Sequence, residues 1–420
     1  MNTILSGIRV LEVSTAIQGP AAGQFLADLG AEVIKIEPPM GDSARYIGRA
    51  DVTRDAANAA DAGSQFIAVN RGKQSVCLDA HSPLGRVVLH RLATQADVFL
   101  SNYRAPALKR MQLDAPTLTA MNPQLIYAGV SGFGPLGADA DKAMVDSAAQ
   151  ARGGLLFMTG PPNERPTLPG ATLADTAGAM TLALGVVCAL LDRERNGRVR
   201  RVDTSALAAQ LWLQMWELQH AALTGITPMR AGAHHAQLSG PVGVYASSDG
   251  EYYQFALILD INAWQAFWAF AGEPEVAFDA RWDLPAKQFA VGDGAPDVEA
   301  MRACMLRGFA RRTSAEWDAF FAAQPELICE RVRAYDAVLA DAQNLANGAV
   351  ASMALTPDRQ IATIGNPLVF DRAPRHHYPA PPDRGGATVR VMQGLGFSDV
   401  DIEQLQAHTD LARRKLMGLA

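Results

Sequence analysis

Apolar and polar positions follow two alternating periods over the first half of the chain. Short apolar runs at 8–13 and 33–37 are typical of strands. Between them the apolar residues repeat at the spacing of one helix face, at positions 22, 25, 26 and 29. Pro20 suits the first helical position, and Gly30 suits the left-handed position after a helix. This order predicts a βαβ unit with parallel strands.

The same alternation continues to about residue 205. Further predicted strands are 75–78, 98–100, 125–130 and 199–203, and further predicted helices are 83–95 and 175–194. Repeated βα units predict an α/β fold with a doubly wound parallel sheet. A helical stretch at 205–223 leads into a polar, glycine-containing segment at 224–240, where we place a domain boundary.

The second half of the chain has a different pattern. Runs at 243–246 and 252–257 predict a hairpin, and helices are predicted around 262–271 and 297–323. This stretch predicts a compact α+β insertion. An extended segment at 378–386 then precedes a final helix pair, at 387–395 and 398–406.

Composition narrows the class of protein. The 420 residues are 49% hydrophobic and 19% charged, which is enough apolar material for a sizeable core. A net charge of −6 gives no global positive field for a nucleic acid. The four cysteines lack CxxC spacing, so neither a disulfide framework nor a metal site is indicated. No signal-peptide pattern opens the chain, and the apolar run 177–191 is shorter than the roughly 20 residues that cross a bilayer, so we expect a cytoplasmic protein with no membrane segment.

Two glycine and histidine patterns are weak signals. Gly132, Gly134 and Gly137 match GxGxxG, but Pro135 interrupts the loop and a poor helix start follows. A plain glycine loop is therefore favoured over a nicotinamide site. The pairs at 234–235 and 376–377 lack a third ligand at suitable spacing, so we interpret them as loop or surface histidines.

Charged residues near predicted strand ends leave two interpretations open. Basic side chains at 71, 73, 104, 109, 110 and 142 either bind an anion or form ordinary solvated surface. Asp175 opens the most apolar helix, where the helix dipole and backbone N–H groups favour an ionised carboxylate. It is a helix cap or a nucleophile, and the two roles are compatible.

Nine segments carry a shared signature in the same order. They are 5–12, 18–20, 26–39 (LADLGAEVIKIEPP), 41–45 (GDSAR), 70–79 (NRGKQSVCLD), 96–104 (ADVFLSNYR), 122–134, 192–197 and 202–205. Together they resemble the class III CoA-transferase family, the formyl-CoA transferase and carnitine CoA-transferase group.

The resemblance implies a fold and a chemistry. It implies a large Rossmann-like domain built from both chain ends, 1–224 with a linker helix and 331–420, a smaller inserted domain at 225–330, and an interlocked homodimer. Asp175 falls on the family's nucleophile, which forms an acyl-aspartyl anhydride and then an aspartyl-CoA thioester. Acyl-CoA and a carboxylic acid are the implied substrates, with no permanently bound cofactor and no metal.

The resemblance also implies a set of CoA contacts. They are Ile17, Gln18, Leu78, Asp79, Ala80, His81, Asn102, Tyr103, Arg104, Arg110, Lys142, Ala143 and Asp146. Pro38 and His81 stand where relatives place an arginine and a lysine. We therefore expect Arg45, Arg71 or Lys73 to replace them at the 3′-phosphate.

Several alternatives stay open within this resemblance. The racemases of the superfamily need a Gly-His-Asp motif, which falls on Met144-Val145-Asp146 and lacks the histidine. Intramolecular CoA transfer uses the same aspartate, and a silent CoA-binding relative is the other alternative. The loops 40–65, 155–170 and 225–245 are predicted to select the acyl group. In 232–243 the glycines are only scattered, which argues against an oxalate-specific enzyme, and arginines at 45, 49 and 54 favour a dicarboxylate.

Overall fold

The computed structural model describes residues 4–49, 55–238, 240–256, 258, 260–283, 287 and 297–418. The strands are β1 Arg9–Val13, β2 Glu32–Glu37, β3 Gln74–Cys77, β4 Val98–Ser101, β5 Ile126–Ser131, β6 Val202–Ser205, β7 Gly243–Ala246, β8 Tyr252–Phe255, β9 Cys329–Arg331, β10 Val350–Thr356, β11 Arg359–Ile364 and β12 His377–Tyr378. The helices are α1 Gln18–Asp28, α2 Ser64–Val69, α3 Pro83–Gln95, α4 Ala105–Arg110, α5 Ala115–Met121, α6 Asp146–Arg152, α7 Leu155–Met158, α8 Leu173–Asn196, α9 Ala206–Leu213, α10 Met215–Thr224, α11 Ile261–Ala271, α12 Val298–Phe309, α13 Ser314–Ala323, α14 Tyr335–Ala340, α15 Ala342–Ala346, α16 Thr388–Gly394 and α17 Asp399–Leu416.

The chain divides into two compact units. The first comprises 1–153, 171–213 and 339–420, and the second comprises 154–170 and 214–338. Both chain ends therefore contribute to the first unit. The division into domains at residues 224 and 330 stays a prediction.

A six-stranded parallel sheet organises the first unit, in the order β3-β2-β1-β4-β5-β6. The predicted α/β class with a parallel sheet is confirmed. Successive residues of a strand point to opposite faces, so Leu11 enters one core with α3 and α17, and Val10 enters the other with α1 and α8. Covering both faces with helices explains why the strands are nearly continuously apolar.

Several element boundaries differ from the predicted ones. The predicted strand 199–203 lies at Val202–Ser205, and the helical stretch 205–223 is two helices that join at Gln214. The stretch 297–323 is also two helices, because the Thr313 side chain accepts from the Glu316 backbone N–H and starts a new helix there. The predicted strand 252–257 ends at Phe255, and residue 257 lies outside the described residues.

The helix α8 is longer than the apolar run that predicted it. By length and composition alone its 24 residues suffice to cross a membrane. Its inner face, however, is buried in the core of the first unit, at Leu182, Ala183, Val186 and Ala189. This burial is the pattern of a core helix that packs on a sheet.

The second unit has its own core. The antiparallel strands β7, β8 and β9 form a small sheet, which confirms the predicted hairpin. Aromatic side chains dominate the interior, and the rings of Phe309 and Trp317 stack with centroids 4.5 Å apart. Large aromatic side chains supply much apolar area to a unit with little sheet.

A buried charge cluster, formed by Glu12, Lys35, Asp42 and Lys73, lies at the end of β1. Glu12 pairs with Lys35 at 3.0 Å and with Lys73 at 2.8 Å, and all three side chains are fully buried. Lys35 also pairs with Asp42 at 2.8 Å. Burial opposes the charge on Lys35, but Asp42, Glu12 and Glu37 outweigh it and raise the Lys35 pKa. At Lys73 burial prevails and lowers the pKa to about 8.

We expect Glu12→Gln to destabilise the first unit strongly, because two buried ammonium groups lose the carboxylate between them. Removing one partner of a buried ion pair costs about 3–5 kcal/mol. Urea unfolding followed by circular dichroism measures this change. As a control, Glu32→Gln breaks the exposed pair with Arg9, which should cost less than about 1 kcal/mol. Equal effects of the two substitutions would contradict the structural role of the cluster.

Candidate active site

The loops that follow the parallel strands carry most of the predicted contact residues. Because the strands are parallel, the loops after β1, β3, β4 and β5 leave the same edge of the sheet. These loops contain Ile17 and Gln18, then 78–81, then 102–104, and then 142–146. The strand order reverses between β1 and β4, which is where ligands enter open α/β sheets. Arg110 differs, since it ends α4 at the surface.

Asp175 is the third residue of α8, and the cap position belongs to Thr172. The interpretation of Asp175 as a helix cap is therefore wrong. Asp146, at the start of α6, accepts a hydrogen bond at this end of α8. The Asp175 backbone N–H donates to Oδ1 of Asp146 at 3.0 Å. The Gln150 amide donates to the other oxygen of Asp146. Asp146 thus fixes the start of α8 and leaves the Asp175 carboxylate to other roles.

The pKa of Asp175 is raised, whereas a helix dipole alone would lower it. Burial, and next the negative charge of Asp146, raise the pKa of Asp175 to about 6. At pH 7 the ionised form still predominates by about ten to one, since each pH unit changes the ratio tenfold. Asp175 is therefore a poorly solvated carboxylate that is ionised at neutral pH.

The amide of Gln18 lies beside the same helix. A Cβ atom on Gly178 would lie 2.2 Å from Gln18 Nε2, so only glycine admits the amide this close. Gly178 follows Asp175 by three residues and shares its helix face. Gln18 is buried, and within the described part of the chain its Nε2 has no hydrogen-bond partner. A free amide donor is therefore available beside Gly178, one turn of α8 after Asp175.

Two exposed cations meet on the loops after β4 and β5. Arg104 donates to the backbone carbonyl of Asp141 at 3.3 Å, next to Lys142 in sequence. Both side chains are exposed. The structure thus brings these two predicted contacts together at the site edge, where a phosphate would find positive charge.

The other basic candidates require a correction. Arg45, Arg71 and Lys73 are buried, and a buried charge is tolerated only when it is paired. The pairs are Arg45–Glu37 at 2.7 Å, Arg71–Asp28 at 2.6 Å and Lys73–Glu12 at 2.8 Å. Their charges neutralise carboxylates inside the protein, so the proposal that they bind the 3′-phosphate is withdrawn.

The remaining predicted contacts have mixed surroundings. Leu78 is buried in the core, and Ala80 and Tyr103 pack against that core from the edge. The Asp79 carboxylate accepts from the His81 backbone N–H at 2.9 Å and leaves the His81 ring exposed. Asn102 is half-buried against the loop after β1, and Ala143 is exposed.

Sequence reasoning missed three buried site residues. Gln150 binds Asp146, Gly178 admits Gln18, and Gln210 packs against Gly153. Among the described residues, neither polar side-chain atom of Gln210 has a partner. The spacing of four between Asp146 and Gln150 is the one signal that could have revealed a pair.

The weaker motifs are now resolved. No helix opens within the glycines at 132–137, and the next helix begins at Asp146, so the plain glycine loop is confirmed. Over the described ranges, no group of three or more His, Cys, Asp or Glu side chains is arranged to hold a metal ion. His235 stacks on Trp216 with ring centroids 5.1 Å apart.

Comparison with known proteins identifies the family. The model of CoA-transferase family III matches residues 5–388. The chain belongs to this family. The family is one of enzymes that transfer CoA, and the resemblance seen in the sequence is confirmed.

Individual relatives differ in their reactions. The chain is 34% identical to a succinate–glutarate CoA-transferase of Agrobacterium fabrum over 62% of this chain and 67% of that relative. It is 28% identical to the human alpha-methylacyl-CoA racemase over 98% of both chains. A CAIB/BAIF family protein from Brucella suis has the same fold, with a TM-score of 0.79, 26% identity, and coverage of 94% and 100%.

We expect Asp175→Asn to stabilise the protein at pH 8. Because its pKa is raised from 3.8 to about 6, ionisation of the carboxylate lowers the free energy of unfolding. The full loss is present above pH 6, and the stability returns as the pH falls toward 4. The cost is about 3 kcal/mol before screening, against 0.3–1 kcal/mol favourable from the helix dipole. A net gain of about 1–2 kcal/mol at pH 8 is expected, and it should shrink by pH 5.

Thermal unfolding at pH 8 and pH 5 measures this difference. Asp192→Asn, at the other end of α8, is the matched control, because Asn196 and Arg200 lower the Asp192 pKa. The control should show no gain. A destabilised Asp175→Asn variant at pH 8 would show that the carboxylate is not strained by its surroundings.

Proposed function

We propose that this enzyme moves CoA from an acyl-CoA thioester to a carboxylic acid through covalent intermediates on Asp175. The observation that carries this proposal is the Asp175 carboxylate itself. It sits at the start of α8 with its backbone held by Asp146 and with the buried amide of Gln18 one turn away. A poorly solvated and ionised carboxylate suits covalent catalysis.

The first half-reaction converts the donor thioester into an enzyme thioester. A carboxylate oxygen of Asp175 attacks the acyl carbon, the C–S bond breaks, and CoA is released as a thiolate. The acyl group then remains on Asp175 as a mixed anhydride. The thiolate then attacks the aspartyl carbonyl carbon and releases the donor carboxylate. Asp175 now carries CoA as a thioester, and no proton or oxidant is consumed.

The second half-reaction reverses these steps with the acceptor. The acceptor carboxylate attacks the aspartyl thioester and expels the CoA thiolate, which gives a second anhydride. The thiolate attacks the acceptor acyl carbon, and the Asp175 carboxylate leaves. The thioester bond energy is thus conserved without ATP. Water would hydrolyse both anhydrides, so the partial burial of Asp175 is part of the mechanism.

Gln18 is proposed to stabilise the charge that develops in each step. Each attack places negative charge on a carbonyl oxygen, and a preorganised amide donor stabilises that charge. Gln18 is the candidate donor because its Nε2 is buried and, in the described structure, unpartnered. Arg104 and Lys142 are proposed to contact CoA phosphates at the exposed edge.

A dicarboxylate acyl group is also proposed, with Arg45 no longer among the residues that support it. Arg45 forms a buried ion pair with Glu37, and Arg54 lies outside the described residues. The guanidinium carbon of Arg49 lies 5.9 Å from the centroid of the Tyr46 ring. The likeness to a succinate–glutarate CoA-transferase supports a dicarboxylate. Intramolecular transfer between two carboxyls of one substrate would use the same chemistry on Asp175.

Racemisation is less compatible with this site. That reaction needs an acid and a base on opposite sides of the α-carbon. Val145 stands at the histidine position, and Asp146 already accepts from the Asp175 N–H and the Gln150 amide. A racemase relative nevertheless matches the whole chain, so exchange of the substrate α-proton in D2O should be measured with the transfer assay.

A homodimer in the cytoplasm completes the proposal. Large apolar side chains on the outer faces of α8 and α9 are exposed, among them Leu184 at 65% and Trp212 at 70%. Exposed apolar patches of this kind mark interaction surfaces. A second copy of the chain is proposed to cover them.

We expect a covalent acyl or CoA adduct on Asp175 when the enzyme meets a donor. Intact-protein mass spectrometry with succinyl-, mesaconyl-, formyl- and butyrobetainyl-CoA, followed by hydroxylamine or borohydride trapping, detects it. Asp175→Asn should give no adduct, while the matched Asp192→Asn variant should label normally. Labelling of both variants, or of neither the wild type nor Asp192→Asn despite CoA binding, would overturn the proposed chemistry for this panel.

We expect a solution mass of about 90 kDa, twice the chain mass of 44.8 kDa. Light scattering after size-exclusion chromatography measures it. Replacing Leu184 and Trp212 together with arginine should lower the mass toward one chain, because burying two cations in an apolar interface is costly. A monomeric wild type, or a variant that stays dimeric, would contradict this surface as the interface.

A further inference from the structure

The loop between β1 and α1 has an uncommon backbone conformation. Ala16 has a φ of 64°, in the left-handed region that residues with a side chain seldom adopt. Ile17 and Gln18 follow directly and begin α1. Such a conformation persists only where the surroundings enforce it.

Asp42 supplies the enforcing contacts from one side. Its Oδ1 accepts from the Ala16 backbone N–H at 3.1 Å and from the Thr15 hydroxyl at 2.8 Å. Asn102 holds Thr15 from the other side, since it accepts from the Thr15 N–H at 3.0 Å and donates to its carbonyl at 2.7 Å. Thr15 and Ala16 are therefore held by four hydrogen bonds from Asp42 and Asn102.

Asp42 is itself a fixed anchor. It is 1% exposed, and its Oδ2 pairs with Lys35 at 2.8 Å. The Asp42 backbone N–H donates to Glu37 at 2.9 Å, and Lys35 also reaches the Ser14 carbonyl at 3.1 Å. Through these contacts the buried charge cluster also holds the loop between β1 and α1.

The consequence reaches the catalytic helix through Gln18. Its side chain fits against Gly178 with no room for a Cβ atom, one turn of α8 beyond Asp175. A relaxed φ at Ala16 would redirect the chain two residues before this contact. The amide would then leave its place beside Gly178.

We propose that Asp42 is a positioning residue, which through Thr15 and Ala16 holds the left-handed turn that places the Gln18 amide beside Asp175. Asp42 acts through Gln18 and does not touch the substrate. The inference rests on the proposed function for the roles of Gln18 and Asp175.

The primary test is Thr15→Val, a nearly isosteric change. It removes the hydroxyl bond to Asp42 and the 3.1 Å contact with the Ser43 hydroxyl, and it leaves the Asp42–Lys35 pair intact. We expect kcat for CoA transfer to fall about tenfold with the KM for acyl-CoA within about twofold, because a transition-state contact is lost. Thr119→Val is the matched control, since it removes a hydroxyl bond to Ala115 in α5 and should change neither constant.

A double-mutant cycle separates positioning from general damage. In a Gln18→Ala background, Thr15→Val should not lower kcat further, because Thr15 acts on catalysis only by positioning Gln18. Adding Ala16→Gly to Thr15→Val should recover part of kcat, since glycine adopts a positive φ without penalty. An equal loss with and without Gln18, or a KM effect alone, would overturn the proposal.

A readout without turnover distinguishes this inference from the proposed reaction. Hydrogen exchange of the backbone amides in the peptide spanning 14–18 should be faster in Thr15→Val and in Asp42→Asn than in the wild type. Unchanged exchange in both variants would overturn the anchoring role of Asp42. Failure of the Asp175 adduct assay with quickened exchange would instead refute the reaction and leave the anchoring intact.

Discussion

The carboxylate of Glu12 lies between two buried ammonium groups, and the start of α1 depends on this arrangement. Lys73 donates to the Pro20 carbonyl at 2.7 Å as well as pairing with Glu12. Glu12 in turn lies so close to α1 that a Cβ on Gly23 would be 1.9 Å from its oxygen. Burying such charges is costly unless each is paired, so the pairs fix the geometry of the strand end. Lys35 carries that constraint on to the loop that precedes Gln18.

Much of the fold followed from local patterns in the sequence. Helix α3 was predicted at its observed bounds, because Ser82 caps it, Pro83 opens it and its apolar positions are periodic. The breaks near Gln214 and before Thr313 were missed. Apolar residues continue on both sides of Gln214, so hydrophobicity does not mark that break. The break before Thr313 does carry a local signal, because Thr313 and Glu316 have the Thr-x-x-Glu spacing of a capping box.

The site was less predictable, and charge explains why. A basic residue after a strand looks the same in sequence whether it faces a phosphate or a carboxylate inside the protein. Arg71 pairs with Asp28, which lies 43 positions earlier in the chain, so no local sequence pattern predicts this pair. Arg104 and Lys142 are exposed on loops at the sheet edge, and their contact with CoA stays a prediction. The family motif located Asp175, but its neighbours Gln150 and Gly178 emerged only from packing.

Asp146 and Asp175 show how one residue type takes two roles at one helix start. Asp146 accepts hydrogen bonds from the Asp175 N–H and the Gln150 amide, which engage its lone pairs. Among the described residues, no hydrogen-bond donor reaches the Asp175 carboxylate, and burial raises its pKa to about 6. Hydrogen bonds to a carboxylate stabilise its charge and lower its reactivity, whereas a desolvated carboxylate is a better nucleophile. Because Asp146 satisfies the backbone at the start of α8, the Asp175 carboxylate is left free for the proposed attack.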